Sequence, residues 1–172
     1  DHARAIADAS EAIRIDGKAL AEKLRMQVAE DVRAFGDPVC LATILVGDDP
    51  ASHVYVGKKH DASHEAGIES RDHRFPSDTT ESDILELIAE LNADEGVDGI
   101  LVQLPLPEHM DEPKVLRAVD PDKDVDGFHP QNVGHLALRQ FGLRPCTPRG
   151  ITTLLAYTDR PVRGQSATIV GV

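Results

Sequence analysis

The sequence has few cysteines, few aromatic residues and a deficit of basic residues, and these shortages exclude several classes of protein. Two cysteines, Cys40 and Cys146, are too few for a disulfide framework or a structural zinc site, so both are predicted to be free thiols. Eighteen Lys and Arg residues against 30 Asp and Glu give a net charge of -12, which argues against nucleic acid as a partner.

The sequence also lacks long apolar runs. No run approaches the roughly 20 residues that cross a bilayer, so no membrane partner is expected. The first residues lack the basic start and apolar centre of a secretion signal, and a cytoplasmic location is therefore expected.

What is present suits a folded α/β domain. Hydrophobic residues make up 41% of the 172 residues, enough for one domain, or one domain and the start of another. Helix-like and strand-like patterns alternate, which predicts a parallel sheet with right-handed helical crossovers. Residues 1–12 fit no such pattern and are expected to be a loose extension.

A helix is predicted after Asp16, where apolar residues recur at helical spacing behind the capping residue. Another is predicted between the start signal Asp49-Pro50 and the stop signal Gly67, although its surface is unusually polar. Strands are predicted where apolar or alternating runs are bounded by proline and glycine. The predicted helices are 17–35, 50–66, one containing 84–91, 114–119 and 148–157, and the predicted strands are 39–46, 70–75, 99–104 and 167–170.

Four short runs carry the chemical signal, and they lie at residues 55–59, 98–107, 122–130 and 145–150. The second and third runs place polar groups just beyond an apolar strand, which is where open α/β sheets have their active sites. Tyr55 and Lys59 are four residues apart, which predicts that they share one helix face. Gln103 ends an apolar strand, and an unsatisfied amide there would cost roughly 1 to 3 kcal/mol, so a partner such as a lysine is expected.

The order and spacing of these runs closely resemble the bifunctional methylenetetrahydrofolate dehydrogenase/cyclohydrolase family, from about residue 13 onward. The resemblance implies a three-layer α/β catalytic domain over residues 1–147, followed over 148–172 by a connecting helix and the first strand of a Rossmann-type NAD(P)-binding domain. Most of that second domain would follow Val172. It also implies that tetrahydrofolate derivatives are interconverted between methylene, methenyl and formyl forms, with NADP or NAD as cofactor, by a homodimer that serves purine biosynthesis.

The resemblance assigns roles to individual residues. It implies that Tyr55, Lys59, Gln103 and Asp126 bind the substrate, with Tyr55 stacked on the aminobenzoyl ring and Asp126 bonded to the pterin. Lys59, held by Gln103, and Asp126 are the implied catalytic residues. Gly171, at the end of the last predicted strand, is the implied cofactor-binding residue.

One position departs from the family pattern. Members commonly carry a second basic residue two positions after the lysine, and here that position is Asp61. The departure leaves the assignment of Lys59 intact, but it puts in doubt a second cation for the glutamate tail of the folate.

Two other functions are open at this stage. One is a different two-domain NAD(P)-dependent dehydrogenase, from which the set of Lys59, Gln103 and Asp126 distinguishes the folate enzyme. The other is a calcium-binding module, because Asp122, Asp124 and Asp126 match positions 1, 3 and 5 of an EF-hand loop. Position 12 of that loop is valine instead of glutamate, however, and a proline interrupts the loop, so no metal is predicted.

Overall fold

The computed structural model describes residues 15–158, 162–166 and 168. In chain order the described elements are α1 (Gly17–Phe35), β1 (Cys40–Val46), α2 (Pro50–Glu65), β2 (Glu69–Phe75), α3 (Glu81–Ala93), β3 (Gly99–Val102), α4 (Glu112–Ala118), α5 (Pro130–Ala137) and α6 (Cys146–Ala156). The three strands form one parallel sheet in the order β2-β1-β3. The predicted α/β class with parallel strands is therefore confirmed.

The first three helices begin where the capping residues predicted. The side chain of Asp16 accepts a hydrogen bond from Ala19 N at 3.0 Å at the start of α1. At the start of α2, Asp49 accepts one from Ser52 N at 2.8 Å. Thr80 and Asp83 form a reciprocal capping box at α3. These bonds satisfy N–H groups that the first turn of a helix leaves without partners.

The main core lies on one face of the sheet. Alternate side chains of β1 point to this face, where they pack with α3 and α4. The core includes Cys40, Ala42, Ile44 and Val46 of β1, Ile100 and Val102 of β3, Ile84, Ile88 and Leu91 of α3, and Val115 of α4.

The opposite face of the sheet is covered by α2. Thr43 of β1 points to this side and donates a hydrogen bond to Asp72 of β2 at 2.6 Å. The ring of His60, from α2, lies 3.4 Å from the same carboxylate. Helices therefore lie on both faces, as a three-layer fold requires.

The structure shifts several predicted boundaries, most of them by one or two residues, and adds one helix. β3 ends at Val102, two residues earlier than predicted; Gln103 N still donates to Ile44 O at 2.8 Å, and Pro105, which has no N–H, comes soon after. α4 begins at Glu112 instead of residue 114, and α6 at Cys146 instead of Pro148, because proline is tolerated within the first turn. α2 ends at Glu65, one residue early. α5 was not predicted at all.

Some predictions fall on residues that the structure does not describe. They are the extension 1–12, most of the strand 167–170, and Gly171. The predicted domain boundary after residue 147 falls inside α6 and stays a prediction. Among the described residues, no helix combines the length and apolarity that a membrane span requires.

The core predicts a large effect for one truncation. Ile88 is 0% exposed, so Ile88→Ala should lower the free energy of unfolding by about 2 to 5 kcal/mol, because it removes buried apolar contacts and leaves a cavity. The control is Met26, which is 60% exposed on α1. Met26→Ala should change the free energy of unfolding by less than about 0.5 kcal/mol. Urea denaturation measures both, and equal losses would contradict the assigned core.

Candidate active site

Three segments that are distant in sequence meet at the candidate site. α2 contributes Lys59, the turn after β3 contributes Gln103, and the loop between α4 and α5 contributes Asp126. The loop reaches β3 because Asp124 pairs with Ile100 in a parallel bridge. The carboxyl end of a parallel strand thus carries the polar groups, as the sequence predicted.

Lys59 and Gln103 are joined directly. Lys59 Nζ donates a hydrogen bond to Gln103 Oε1 at 3.2 Å, and Gln103 Nε2 donates to Leu104 O at 2.7 Å. The second bond turns the amide so that its oxygen faces the ammonium. The partner that the sequence required for Gln103 is therefore Lys59.

Tyr55 lies one helical turn before Lys59 on α2. Its side chain is 59% exposed, whereas Lys59 is half-buried. Residues four apart share a helix face, so the exposed ring of Tyr55 lies one turn from Lys59 on the same side of α2. A planar aromatic group could stack on that ring.

Asp126 is half-buried, and its surroundings act on its charge. Burial raises the pKa of the Asp126 carboxyl above its ordinary value, the Lys59 ammonium opposes this shift, and the nearby Asp124 carboxylate adds to it. Asp126 therefore lies within the electrostatic influence of Lys59, although the two segments are 67 positions apart in the sequence.

Two glycines leave room for the turn that carries Asp126. A Cβ on Gly99 would lie 2.5 Å from Val125 Cγ1, so only glycine lets the loop approach β3 this closely. Gly127 has φ +67°, and a Cβ there would lie 2.7 Å from the main-chain carbon of Arg144 and 2.8 Å from Pro145 N. The turn is thus held between β3 and the segment that leads into α6.

Cys146 joins the site, which the sequence analysis did not foresee. Its Sγ donates to Val125 O at 3.5 Å, and both cysteines are free, as predicted. Although Cys146 is exposed as a residue, partial desolvation of its thiol raises the pKa, and the Asp126 carboxylate adds to the shift. The sequence signal for Cys146 was its place in the run 145–150, whose spacing matches the family.

Lys59, Asp126 and Cys146 line an apolar cavity of about 630 Å³, whereas Tyr55 and Gln103 do not. Its walls also include Leu24 and Val28 of α1, Leu41 of β1, Ala62 of α2 and Leu101 of β3. A few polar groups beside apolar walls are typical of sites for organic ligands.

The hydrogen bonds of the loop argue against calcium binding. Asp124 is 6% exposed, and its Oδ2 accepts hydrogen bonds from His129 N at 2.8 Å and from Asn132 Nδ2 at 2.9 Å. Its carboxylate is thus occupied by N–H donors, while Asp126 lies in the field of an ammonium. Across the described ranges, no three His, Cys, Asp or Glu side chains are grouped as a metal site would require.

The electrostatics of Asp126 predict an effect on stability. A carboxyl whose pKa is raised by folding stabilises the protein below its ordinary pKa of about 3.9, and this contribution is lost as pH rises through the folded-state pKa. Asp126→Asn removes the buried charge and should therefore raise the melting temperature at pH 7, by an amount that shrinks as pH falls toward 4.

Thermal unfolding between pH 7 and pH 4 measures this difference. Asp122→Asn, at an exposed position of the same loop, serves as the control and should change the melting temperature less. A lower melting temperature for Asp126→Asn at pH 7 would show that the ionised carboxylate is stabilised in the fold instead.

Comparison with known families identifies a related group of proteins. The family model described as "Tetrahydrofolate dehydrogenase/cyclohydrolase, catalytic domain" matches residues 15–126, more than half of the chain. The matched segment contains Tyr55, Lys59, Gln103 and Asp126.

Curated relatives match almost the whole chain. "Bifunctional protein FolD" of Xanthomonas axonopodis pv. citri (strain 306) is 54% identical over 174 residues, which cover 99% of this chain and 57% of that protein. The protein of the same name from Xanthomonas euvesicatoria pv. vesicatoria (strain 85-10) is 53% identical with the same coverage. The chain thus spans 57% of the length of these relatives.

Solved structures share the fold. The bifunctional FolD methylenetetrahydrofolate dehydrogenase/cyclohydrolase of Campylobacter jejuni superposes with a TM-score of 0.81 at 45% identity, over 84% of this chain and 53% of that one. The Trypanosoma brucei methylenetetrahydrofolate dehydrogenase-cyclohydrolase, solved with NADP cofactor and an inhibitor, gives a TM-score of 0.84 at 32% identity, over 89% and 54%.

Proposed function

Because the chain belongs to the tetrahydrofolate dehydrogenase/cyclohydrolase family, we propose that it carries the folate site of an enzyme that interconverts methylene-, methenyl- and formyltetrahydrofolate. The observation that carries the proposal is the hydrogen bond between Lys59 and Gln103 beside the half-buried Asp126. Relatives of this kind are longer than the chain, so the proposal concerns the complete enzyme.

The proposed substrate has parts that suit the groups present. A pterin offers amino and ring N–H donors, for which a carboxylate such as Asp126 is the natural acceptor. The aminobenzoyl ring of a folate can stack on the exposed face of Tyr55. Between these two contacts, Lys59 would face the one-carbon unit.

For the hydrolytic step we assign proton transfer to Lys59. When the cationic substrate is bound, its positive charge favours the neutral form of the Lys59 amine over the ammonium of the free site. A water oxygen then bonds to the methenyl carbon of the substrate and gives one proton to Lys59 Nζ. The resulting ammonium returns the proton to the ring nitrogen as the carbon–nitrogen bond breaks. The remaining hydroxyl proton passes to solvent as the formyl C=O forms, and Gln103 orients Lys59 throughout.

For the oxidative step we propose NADP, or NAD, as cofactor, which when bound supplies the acceptor for the hydride of the methylene carbon. The Trypanosoma brucei relative was solved with NADP. Gly171 is the residue we expect to contact the cofactor. The part of the chain that the structure describes contains no glycine-rich turn after a strand to bind a pyrophosphate, so no step of hydride transfer is assigned to its residues.

The proposed organisation follows the family resemblance. Residues 1–147 would form the catalytic domain, which the match over 15–126 supports, and residues 148–172 would lead into an NAD(P)-binding domain. We further propose a cytoplasmic homodimer, on the resemblance alone.

The proposal predicts that Lys59 is required for hydrolysis. In the complete enzyme, Lys59→Met should lower methenyltetrahydrofolate hydrolysis by at least about 100-fold, because proton transfer by a positioned side chain contributes about 10²- to 10⁴-fold. The control is the adjacent, exposed Lys58, and Lys58→Met should retain activity. A spectrophotometric hydrolysis assay measures both, with circular dichroism to verify folding. Near-normal turnover in Lys59→Met would refute the assignment.

The proposal also predicts that Asp126 binds folate. Charge-assisted hydrogen bonds contribute about 1.5 to 3 kcal/mol each, and Asp126→Asn exchanges one acceptor oxygen for a donor. The affinity for a folate analogue, measured by calorimetry, should fall at least about tenfold. Asp122→Asn should leave the affinity unchanged, and an unchanged affinity in Asp126→Asn would remove the residue from the site.

A further inference from the structure

Asn132 of α5 is a buried polar residue to which the proposed chemistry gives no role. Its side chain is 3% exposed, and its Nδ2 donates to Pro121 O at 2.8 Å and to Asp124 Oδ2 at 2.9 Å. Both acceptors lie in the loop that precedes Asp126. One amide group therefore joins the start of this loop to the carboxylate near its end.

Asp124 and Asp126 belong to the same tight turn. Gly127 N donates to Asp124 O at 3.1 Å, which closes the turn with Asp126 inside it. Gly127 packs against the main chain of Arg144 and Pro145, so that side of the turn is fixed by contact. The Asp124 side is fixed through its carboxylate, which accepts from Asn132. A displaced Asp124 would therefore displace Asp126.

Position 132 requires a side chain that donates a hydrogen bond to Asp124. Asp124 Oδ2 is held by a main-chain N–H, from His129, and by one side-chain N–H, from Asn132. An alanine at position 132 would remove one of the two donors from a buried acceptor. An aspartate there would place a second carboxylate against the first, away from solvent.

We propose that Asn132 is a positioning residue for folate binding, which fixes the Asp124 carboxylate and thereby the direction in which Asp126 meets the pterin. This inference rests on the proposed function. A residue of this kind acts on affinity only through Asp126, whereas a residue that merely stabilises the fold acts on affinity independently of Asp126 or not at all.

A double-mutant cycle separates these cases. The complete natural protein is compared with Asn132→Ala, Asp126→Asn and the double variant. Calorimetry with a folate analogue gives the dissociation constant of each protein, at a temperature well below the melting temperature of every variant. Asn132→Ala alone should weaken binding by about fivefold or more. In the Asp126→Asn background the same change should weaken it by less than about twofold, because the group through which Asn132 acts is already altered.

Asn92 provides a matched control. Its Nδ2 also donates to a main-chain oxygen, that of Ala118, at 2.8 Å, and its Oδ1 accepts from Asp120 N at 2.9 Å. Neither bond reaches Asp124. Asn92→Ala should lower the melting temperature as Asn132→Ala does, but should leave the affinity for the analogue unchanged.

A further variant tests the donor requirement. Asn132→Asp should weaken binding more than Asn132→Ala, because its carboxylate would face two acceptors, Asp124 Oδ2 and Pro121 O. If Asn132→Ala does not fold, Asn132→Ser, which keeps a shorter donor, takes its place in the cycle.

The outcomes are distinguishable. Unchanged affinity in Asn132→Ala, an equal loss in Asn92→Ala, or an equal loss from Asn132→Ala in both backgrounds would overturn the positioning role. Natural protein that binds no folate analogue would instead overturn the proposed function, and the positioning role with it.

Discussion

The burial of the Asp124 carboxylate is the constraint on which the candidate site depends. A carboxylate that is 6% exposed must be hydrogen-bonded, because burial without partners costs several kcal/mol. Its donors are His129 N, from the residue just before α5, and Asn132 Nδ2, from the first turn of α5. The loop therefore folds back on the helix that follows, and this local closure leaves Asp126 facing α2.

The parallel sheet brings the other two groups of the site, Lys59 and Gln103, together. β1 and β3 run in the same direction and in fixed register, with Ile44 beside Val102, so the chain leaves β3 at the same edge at which it leaves β1 for α2. Lys59 and Gln103 meet across this edge. Asp126 is retained half-buried although burial disfavours its charge, a local conflict of the kind that proteins tolerate at functional sites.

The parts of the fold that the sequence predicted well are those that depend on local signals. Caps located the starts of α1, α2 and α3, because each cap bonds to residues within its own first turn. Apolar spacing was a second signal for α1 and α3 only. α5 was missed because Pro130 was interpreted as an interruption of an Asp-rich loop. Proline in fact opens this helix, behind His129, whose ring nitrogen accepts from Gln131 N at 3.1 Å.

For the site, the prediction succeeded where a buried polar group required a hydrogen-bond partner. An amide at the end of an apolar strand requires a partner, for which a lysine was one candidate and the family resemblance named Lys59, and the structure joins Lys59 to Gln103. Cys146 and Asn132 were missed because their positions depend on how α5 and α6 pack against the Asp126 loop, which no local pattern encodes. The roles of Tyr55, Lys59, Gln103 and Asp126 stay predictions.

The bridge between the Asp126 loop and β3 has a consequence for the behaviour of the protein at high concentration. β3 is an outer strand, and free N–H groups on such a strand recruit strands from other molecules into aggregates. Here Ile100 N donates to Lys123 O at 2.7 Å, so the loop itself occupies part of that edge. The other outer strand, β2, carries Arg71, Asp72 and Arg74, charges that disfavour intermolecular pairing. The loop that carries Asp126 thus also hinders β3 from pairing with strands of other molecules.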